Sequence, residues 1–164
     1  MENVQALTFD FGTGKTDDWF TVNDAVMGGV SVGTVTYTDD ALVFAGALSR
    51  ENNGGFASLR SRPLGLDLTP YRSARLRIRT DGRPYDFRLI TARQVSYKKR
   101  LEAPPGDWAE VTFPLPGLPG SWRGRPTGDT LSAERLGAIE SLGFILSDKL
   151  EQPFRLEVDH VVLE

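Results

Sequence analysis

The sequence predicts an all-β protein, a single-domain jelly-roll β-sandwich with one short helix or helical turns, and three observations carry that expectation. Apolar and polar residues alternate with a period of two in about ten segments, which sends one set of side chains to a core and the other to water. Turn residues separate those segments at short intervals. Seventeen glycines and ten prolines are scattered without a period, as suits short strands joined by turns. At 164 residues and 40% apolar content, one core is expected.

In chain order, LTFDF puts Leu7, Phe9 and Phe11 in phase. TVTY (34–37), LVFA (42–45) and FASLRS (56–61) follow as weaker strands, with turns at TDD (38–40) and NNGG (52–55). The clearest strand is ARLRIRT, where Ala74, Leu76 and Ile78 point one way and Arg75, Arg77 and Arg79 the other. The turn TDGRP (80–84) leads to DFRLIT and then VSYKKRL, and PPGD (104–107) leads to WAEVTF. Only SAERLGAIES has helical spacing: Ser132 is placed to cap it, Leu136 and Ile139 face inward, and Gly137 weakens it. LGFIL precedes the last strand, FRLEVDHVVL, whose Phe154, Leu156, Val158 and Val162 share a face. That phase places His160 on the buried side.

Composition removes whole classes of function. With no cysteine, disulfides, Cys-ligated zinc, iron–sulfur clusters and thiol catalysis are excluded, and one histidine cannot build a His-rich metal site. No cofactor, metal or catalytic residue is expected; the one metal alternative is a calcium site using Asp10 or Asp159. No run approaches the roughly 18 apolar residues of a membrane helix, and the start MENVQALTFDFGTG lacks a signal-peptide pattern. A cytoplasmic protein that does not insert into membranes is expected.

Two motifs fail on context. FGTGKT ends like a phosphate-binding loop, but Phe9 stands where its first glycine belongs and acids, not a helix, follow Lys15. GVSVG matches the elbow of a serine nucleophile, and Asp148 and His160 follow Ser31 in a workable order. Yet VGTVTYT after Ser31 is β-branched, which a helix disfavours. A Ser31/His160 hydrolase is kept as a minor alternative.

Charge is unevenly spread. Residues 60–100 hold twelve bases against three acids, and both flanks are acidic. Arg75, Arg77 and Arg79, joined by Arg88 and either Lys98 and Arg100 or Lys99 from neighbouring strands, are expected to make a basic face for an acidic partner. The acidic surround and the missing aromatic and glycine signatures argue against nucleic acid.

Three longer stretches are more specific: W-x-x-V-N-D-x-V-M-G-G-V-S-V-G (19–33), F-A-G-A-L-S-R-E-N-N-G-G-F-A-S-L-R (44–60) and R-T-D-G-R-P-Y-D-F (79–87). With Tyr97, Trp108, Pro114, WRG (122–124) and LGFILSDKLEQPFRLEVDHVVL, they resemble the complex I intermediate-associated proteins, assembly factors of respiratory NADH:ubiquinone oxidoreductase. The resemblance implies a galactose-binding-like jelly roll and a minimal, stand-alone, bacterial member in which Gln152 replaces the family's usual glycine before PF. It also implies a non-enzymatic protein that assists assembly of complex I or a related membrane complex through protein partners. A carbohydrate-binding module, with Trp19, Trp108 or Trp122 stacking on a sugar, is the alternative. The two glycine loops are expected to meet at one rim, where Gly28, Gly29, Gly54 and Gly55 allow close approach. Asp24, Ser31, Asn52 and Asn53 would supply polar groups there and Met27 and Phe56 an apolar floor, for a partner segment or a small ligand. The competing reading is that these loops only brace each other.

Overall fold

The computed structural model describes residues 5–11, 19–23, 31–38, 41–51 and 55–164. Among them are thirteen strands: β1 (Leu7–Asp10), β2 (Trp19–Asn23), β3 (Val32–Tyr37), β4 (Leu42–Ala47), β5 (Ala57–Ser61), β6 (Ser73–Thr80), β7 (Asp86–Thr91), β8 (Ser96–Arg100), β9 (Trp108–Pro114), β10 (Pro119–Trp122), β11 (Arg125–Thr130), β12 (Ile139–Leu146) and β13 (Pro153–Leu163). They form two antiparallel sheets. The six-stranded sheet runs β3-β4-β13-β6-β9, with β1 beside the far half of β13; the seven-stranded sheet runs β11-β10-β8-β7-β12-β5-β2. The sandwich expected from the alternation is what forms.

Each predicted strand exists, and three more do not show in the alternation. In β2 both faces are apolar, with Trp19 buried and Phe20 and Val22 on the other side, so no period of two is visible. The strands β10 (PGSW) and β11 (RPTGDT) contain proline and glycine and end the seven-stranded sheet, where β11 lies as an exposed edge that tolerates such residues. The helical stretch shrinks to one 3-10 turn, Glu134–Ala138, because Ile139 already enters β12. Ser132 Oγ accepts the Arg135 N–H at 3.2 Å, and Leu136 is fully buried, as its spacing implies.

Inward residues of both sheets interlock as rings. Phe11 meets Trp19 edge-on at 5.3 Å, Trp19 lies 6.2 Å from Phe144, Phe144 meets Phe87 at 5.4 Å, and Phe87 reaches Phe113 at 5.8 Å. The run crosses from β1's end to the seven-stranded sheet and back to β9, so it ties the two layers together. Each such ring pair contributes about 0.5–1.5 kcal/mol beyond its area.

One irregularity changes a side chain's address. On β13, Val158 opposes Ile78 but His160, not Asp159, opposes Arg77, so Asp159 is an extra residue in the ladder. A bulge inverts the alternation beyond it. Val161 and Leu163 therefore enter the core, opposite Leu76 and Ala74, while His160 shares the outer side with Arg77. The expectation that His160 faces inward is overturned by this one residue.

Candidate functional site

The rim of the sandwich that carries the loop before β5 is built by a polar lock between two stretches distant in sequence. Asp81, in the β6–β7 turn, accepts the Arg83 N–H at 3.1 Å, the Tyr85 hydroxyl at 3.1 Å and the Arg155 N–H at 2.9 Å. Arg83 then reaches across to the β12–β13 loop. Its Nε and Nη2 grip Asp148 at 3.0 and 2.7 Å, Nη2 also donates to Leu150 O at 2.8 Å, and Nη1 donates to Gln152 O at 2.9 Å and Pro153 O at 3.3 Å. A planar fork that is always charged suits this multiple grip, which lysine cannot reproduce. Gln152 contributes its carbonyl to the lock and is not among the residues with positive φ, so a side chain is accepted there without backbone strain.

The electrostatics follow from the geometry. Burial alone would raise the Asp148 carboxyl, but the Arg83 hydrogen bonds, the Leu150 amide and the Arg83 charge outweigh it and hold the group below the ordinary carboxylate range. The hydrogen bonds that Arg83 donates to Asp148 raise Arg83 in turn. Burial, reinforced by Asp81, pushes the Tyr85 hydroxyl far up, so it remains a donor.

The ordered loop shapes a shallow hollow of about 600 Å³ lined by Arg50, Glu51, Lys149, Leu150 and Glu151. The Arg50 N–H donates to Glu151 Oε1 at 2.9 Å, and Leu150 is 44% exposed at its lip. Gly55 lies against Lys149 with φ 127°, a conformation open in practice to glycine alone, and a methyl added there would stand 2.8 Å from Lys149 Cγ. Phe56 beside it is half-buried. Ser31 Oγ accepts the Ser49 N–H at 2.8 Å and donates to Ser49 O at 3.3 Å, pinning the start of β3 to the chain beyond β4. Of the residues expected at this rim, Asp24, Met27, Gly28, Gly29, Asn52, Asn53 and Gly54 lie outside the described residues. Arg83, Asp81 and Tyr85 were missed as its organisers; their signal was the R-T-D-G-R-P-Y-D-F stretch itself, whose polar residues answer those of LSDKLEQPFR.

Three other expectations are corrected. The Ser31/His160 hydrolase has no support: Ser31 is followed by β3 instead of a helix, its hydroxyl serves Ser49, and His160 points out from β13 beside Arg77. The basic face is largely neutralised within the chain. Arg75 pairs with Glu164 at 3.2 Å, Arg77 with Asp159 at 2.9 Å, and Arg79 with Glu157 through two hydrogen bonds, one of them at 3.0 Å. Arg88 does not belong to that face at all, since β7 lies in the other sheet. The calcium alternative loses Asp159 to Arg77, and among the described residues no three His, Asp or Glu gather as metal ligands.

The tryptophans divide by environment. Trp19 is in the core, Trp108 lies beneath the guanidiniums of Arg77 and Arg79 at 4.5 and 4.9 Å, and Trp122 is 45% exposed with Arg123 over its ring at 4.7 Å. Among the described residues no helix is long and apolar enough to cross a membrane.

The family pattern described as Complex I intermediate-associated protein 30 matches residues 9–158. A Mus musculus protein named "Complex I intermediate-associated protein 30, mitochondrial" is 28% identical over 169 residues, which cover 88% of this chain and 51% of that protein. The chain thus spans about half the length of that curated relative. Among solved structures, a family 11 carbohydrate-binding module of a cellulosomal cellulase from Clostridium thermocellum has a TM-score of 0.69 at 11% identity, covering 98% of this chain and 95% of that one. A family 11 module from the same organism, in complex with a β-1,3-1,4-mixed-linked tetrasaccharide, gives 0.67 at 11% identity over 99% and 96%. An agarase gives 0.63 at 13% identity, over 97% of this chain and 24% of the agarase. At such identities the likeness is one of fold. On the sequence match over residues 9–158, the chain belongs to the complex I intermediate-associated protein 30 family, on a jelly-roll β-sandwich of the carbohydrate-binding-module kind.

Proposed function

We propose that this protein is a non-enzymatic binding protein, acting as a single sandwich unit, that assists assembly of respiratory complex I or a related membrane complex. The family match over residues 9–158 is the observation that carries this reading. The rim described above is its docking surface. There the Arg83 lock presents exposed Leu150 among Arg50, Glu51, Lys149 and Glu151, an apolar contact ringed by charge of both signs. Deleting the gene in its native host should lower the amount of assembled NADH:ubiquinone oxidoreductase on native gels, and Leu150→Asp should restore it less well than the wild type. Unchanged assembly in the deletion strain would overturn the reading.

Exposed Trp122 favours one second reading, binding of a sugar ring by a module of this fold. A glycan array carries the test: signals that vanish in Trp122→Ala would support it, and a blank array would end it.

A further inference from the structure

The outer face of the seven-stranded sheet holds a charge that has no partner among the described residues. On β7, Phe87 and Leu89 belong to the core cluster, so Asp86, Arg88 and Ile90 point the other way. Register then defines one transverse row on that outer face: Phe20 on β2 opposes Arg60 on β5, Arg60 opposes Gly143 on β12, Gly143 opposes Arg88, and Arg88 opposes Lys98 on β8. Arg60 and Arg88 flank Gly143 two strand spacings apart, about 10 Å between their Cα atoms. A side chain at Gly143 would run into the carbonyl of Leu59, so the floor between the two arginines is bare by necessity.

This face is sheltered. Ser58, Asp86, Ile90, Ser96 and Ser141 on it are each buried, and Arg88 itself is only 9% exposed. Within that shelter Arg88 Nε and Nη2 are buried with no acceptor among the described residues, and Arg60 Nε is likewise without one there. Among the described residues no carboxylate pairs with Arg88; neighbouring Asp86 is committed to Arg100 through a 2.6 Å hydrogen bond. Arg60 is held in place from the β7–β8 turn, where Gln94 Oε1 accepts its Nη1 at 2.8 Å. Gln94 adopts φ 66° to do so, a left-handed conformation that costs a non-glycine residue about 1 kcal/mol and is tolerated where the surroundings need it.

Burial, then repulsion from Arg60, pushes the Arg88 guanidinium down to about 10 although Asp86 acts the other way. A buried cation beside a second cation is destabilising, and water could satisfy its N–H groups but not its charge. An anion would do both. Three unpartnered nitrogens on two forks, carrying four N–H groups, with the Lys98 ammonium at the flank, match the three terminal oxygens and double charge of a phosphate better than a single carboxylate.

We propose that Arg88 and Arg60, flanked by Lys98, form a binding site for a phosphate group, free or as the monoester of a small molecule. This goes beyond the assembly role and does not depend on it. The test is calorimetric titration and thermal melting of the full chain with inorganic phosphate, glycerol 1-phosphate or acetate, each against chloride at equal ionic strength. Phosphate should bind and raise Tm where chloride does not. Arg88→Met should abolish the response and leave the ligand-free protein at least as stable, while half-exposed Arg60→Gln should weaken binding about tenfold or more. If Arg88→Met does not fold, Arg60→Gln and Lys98→Gln carry the test. Tighter binding of glycerol 1-phosphate than of phosphate would identify a small-molecule ester as the occupant, and the reverse order the free ion; either supports the site. Phosphate no better than chloride, acetate equal to phosphate, or undiminished binding in these variants would overturn it.

Discussion

At Arg83 one guanidinium makes five hydrogen bonds that order the whole β12–β13 loop, and its partner Asp148 is only 16% exposed. Removing one member of a nearly buried pair strands the other charge. Arg83→Ala should therefore destabilise the protein by about 3 kcal/mol, read from urea denaturation, and abolish the protection of the Leu150 amide from hydrogen exchange. Gly55→Ala forces a methyl into a glycine-only conformation and onto Lys149; a loss of about 1–3 kcal/mol is expected from the same denaturation curves. Acid should act on the same groups. Hydrogen bonds from Arg79 and Arg155 outweigh burial and hold Glu157 low, and Asp148 is held low by Arg83. Folded values below the ordinary ones mean that this stabilisation is complete above about pH 5 and is lost as pH falls through the folded values, below about pH 4. Urea midpoints should fall over that range, and less steeply in Glu157→Gln.

The strand β6 and its neighbour β13 show how an element redistributes what its residues promise singly. ARLRIRT reads as a stripe of free positive charge, but the strand that docks beside it brings Glu157, Asp159 and Glu164 within ion-pair reach of Arg79, Arg77 and Arg75. The three pairs are unequal, since Glu157 is buried whereas Glu164 is exposed. Arg75→Gln should change stability by less than about 0.5 kcal/mol, while Arg79→Gln, which leaves a buried carboxylate with only Arg155, should cost about 1–2 kcal/mol by denaturant unfolding. The bulge in β13 is testable in the same way. Asp159→Ala keeps the extra residue and loses one half-exposed ion pair, a change of about 1 kcal/mol or less. Deleting Asp159 removes the extra residue and leaves Val158, Val161 and Leu163 in phase on the inner face as a regular ladder, so that variant should keep a cooperative melt by circular dichroism.

Across the whole molecule the two sheets do different work. The six-stranded sheet satisfies its outward charges by pairing them, and the seven-stranded sheet leaves Arg88 and Arg60 short of acceptors on a sheltered face. The rim hollow and that face are formed by different parts of the chain, the first by residues 50–51 and 149–151 and the second by strands β5, β7, β8 and β12. A protein partner at the rim and a small anion on the sheet should therefore bind independently. Saturating phosphate is expected to leave partner capture from detergent-treated membranes of the native host unchanged, and Leu150→Asp to leave phosphate titrations unchanged; capture that needs phosphate would refute that independence.

Sequence by itself determined the class of fold, because alternation of period two and the spacing of Gly, Asp, Asn and Pro turns are local properties of the chain. It determined the family through stretches whose polar residues form the Arg83 lock, and the burial of Leu136 through its helical spacing. The ends of the seven-stranded sheet were not legible, since edge strands such as β11 need no apolar face. Neither was the face of His160, because a bulge arises only where two strands fail to match residue for residue. Only tertiary structure decided which arginines are neutralised and which are not: Arg77 and Arg88 look alike in sequence, and what separates them is the carboxylate that the neighbouring strand does or does not place beside each. Pairing across strands is a long-range outcome of sheet order, and no local pattern records it.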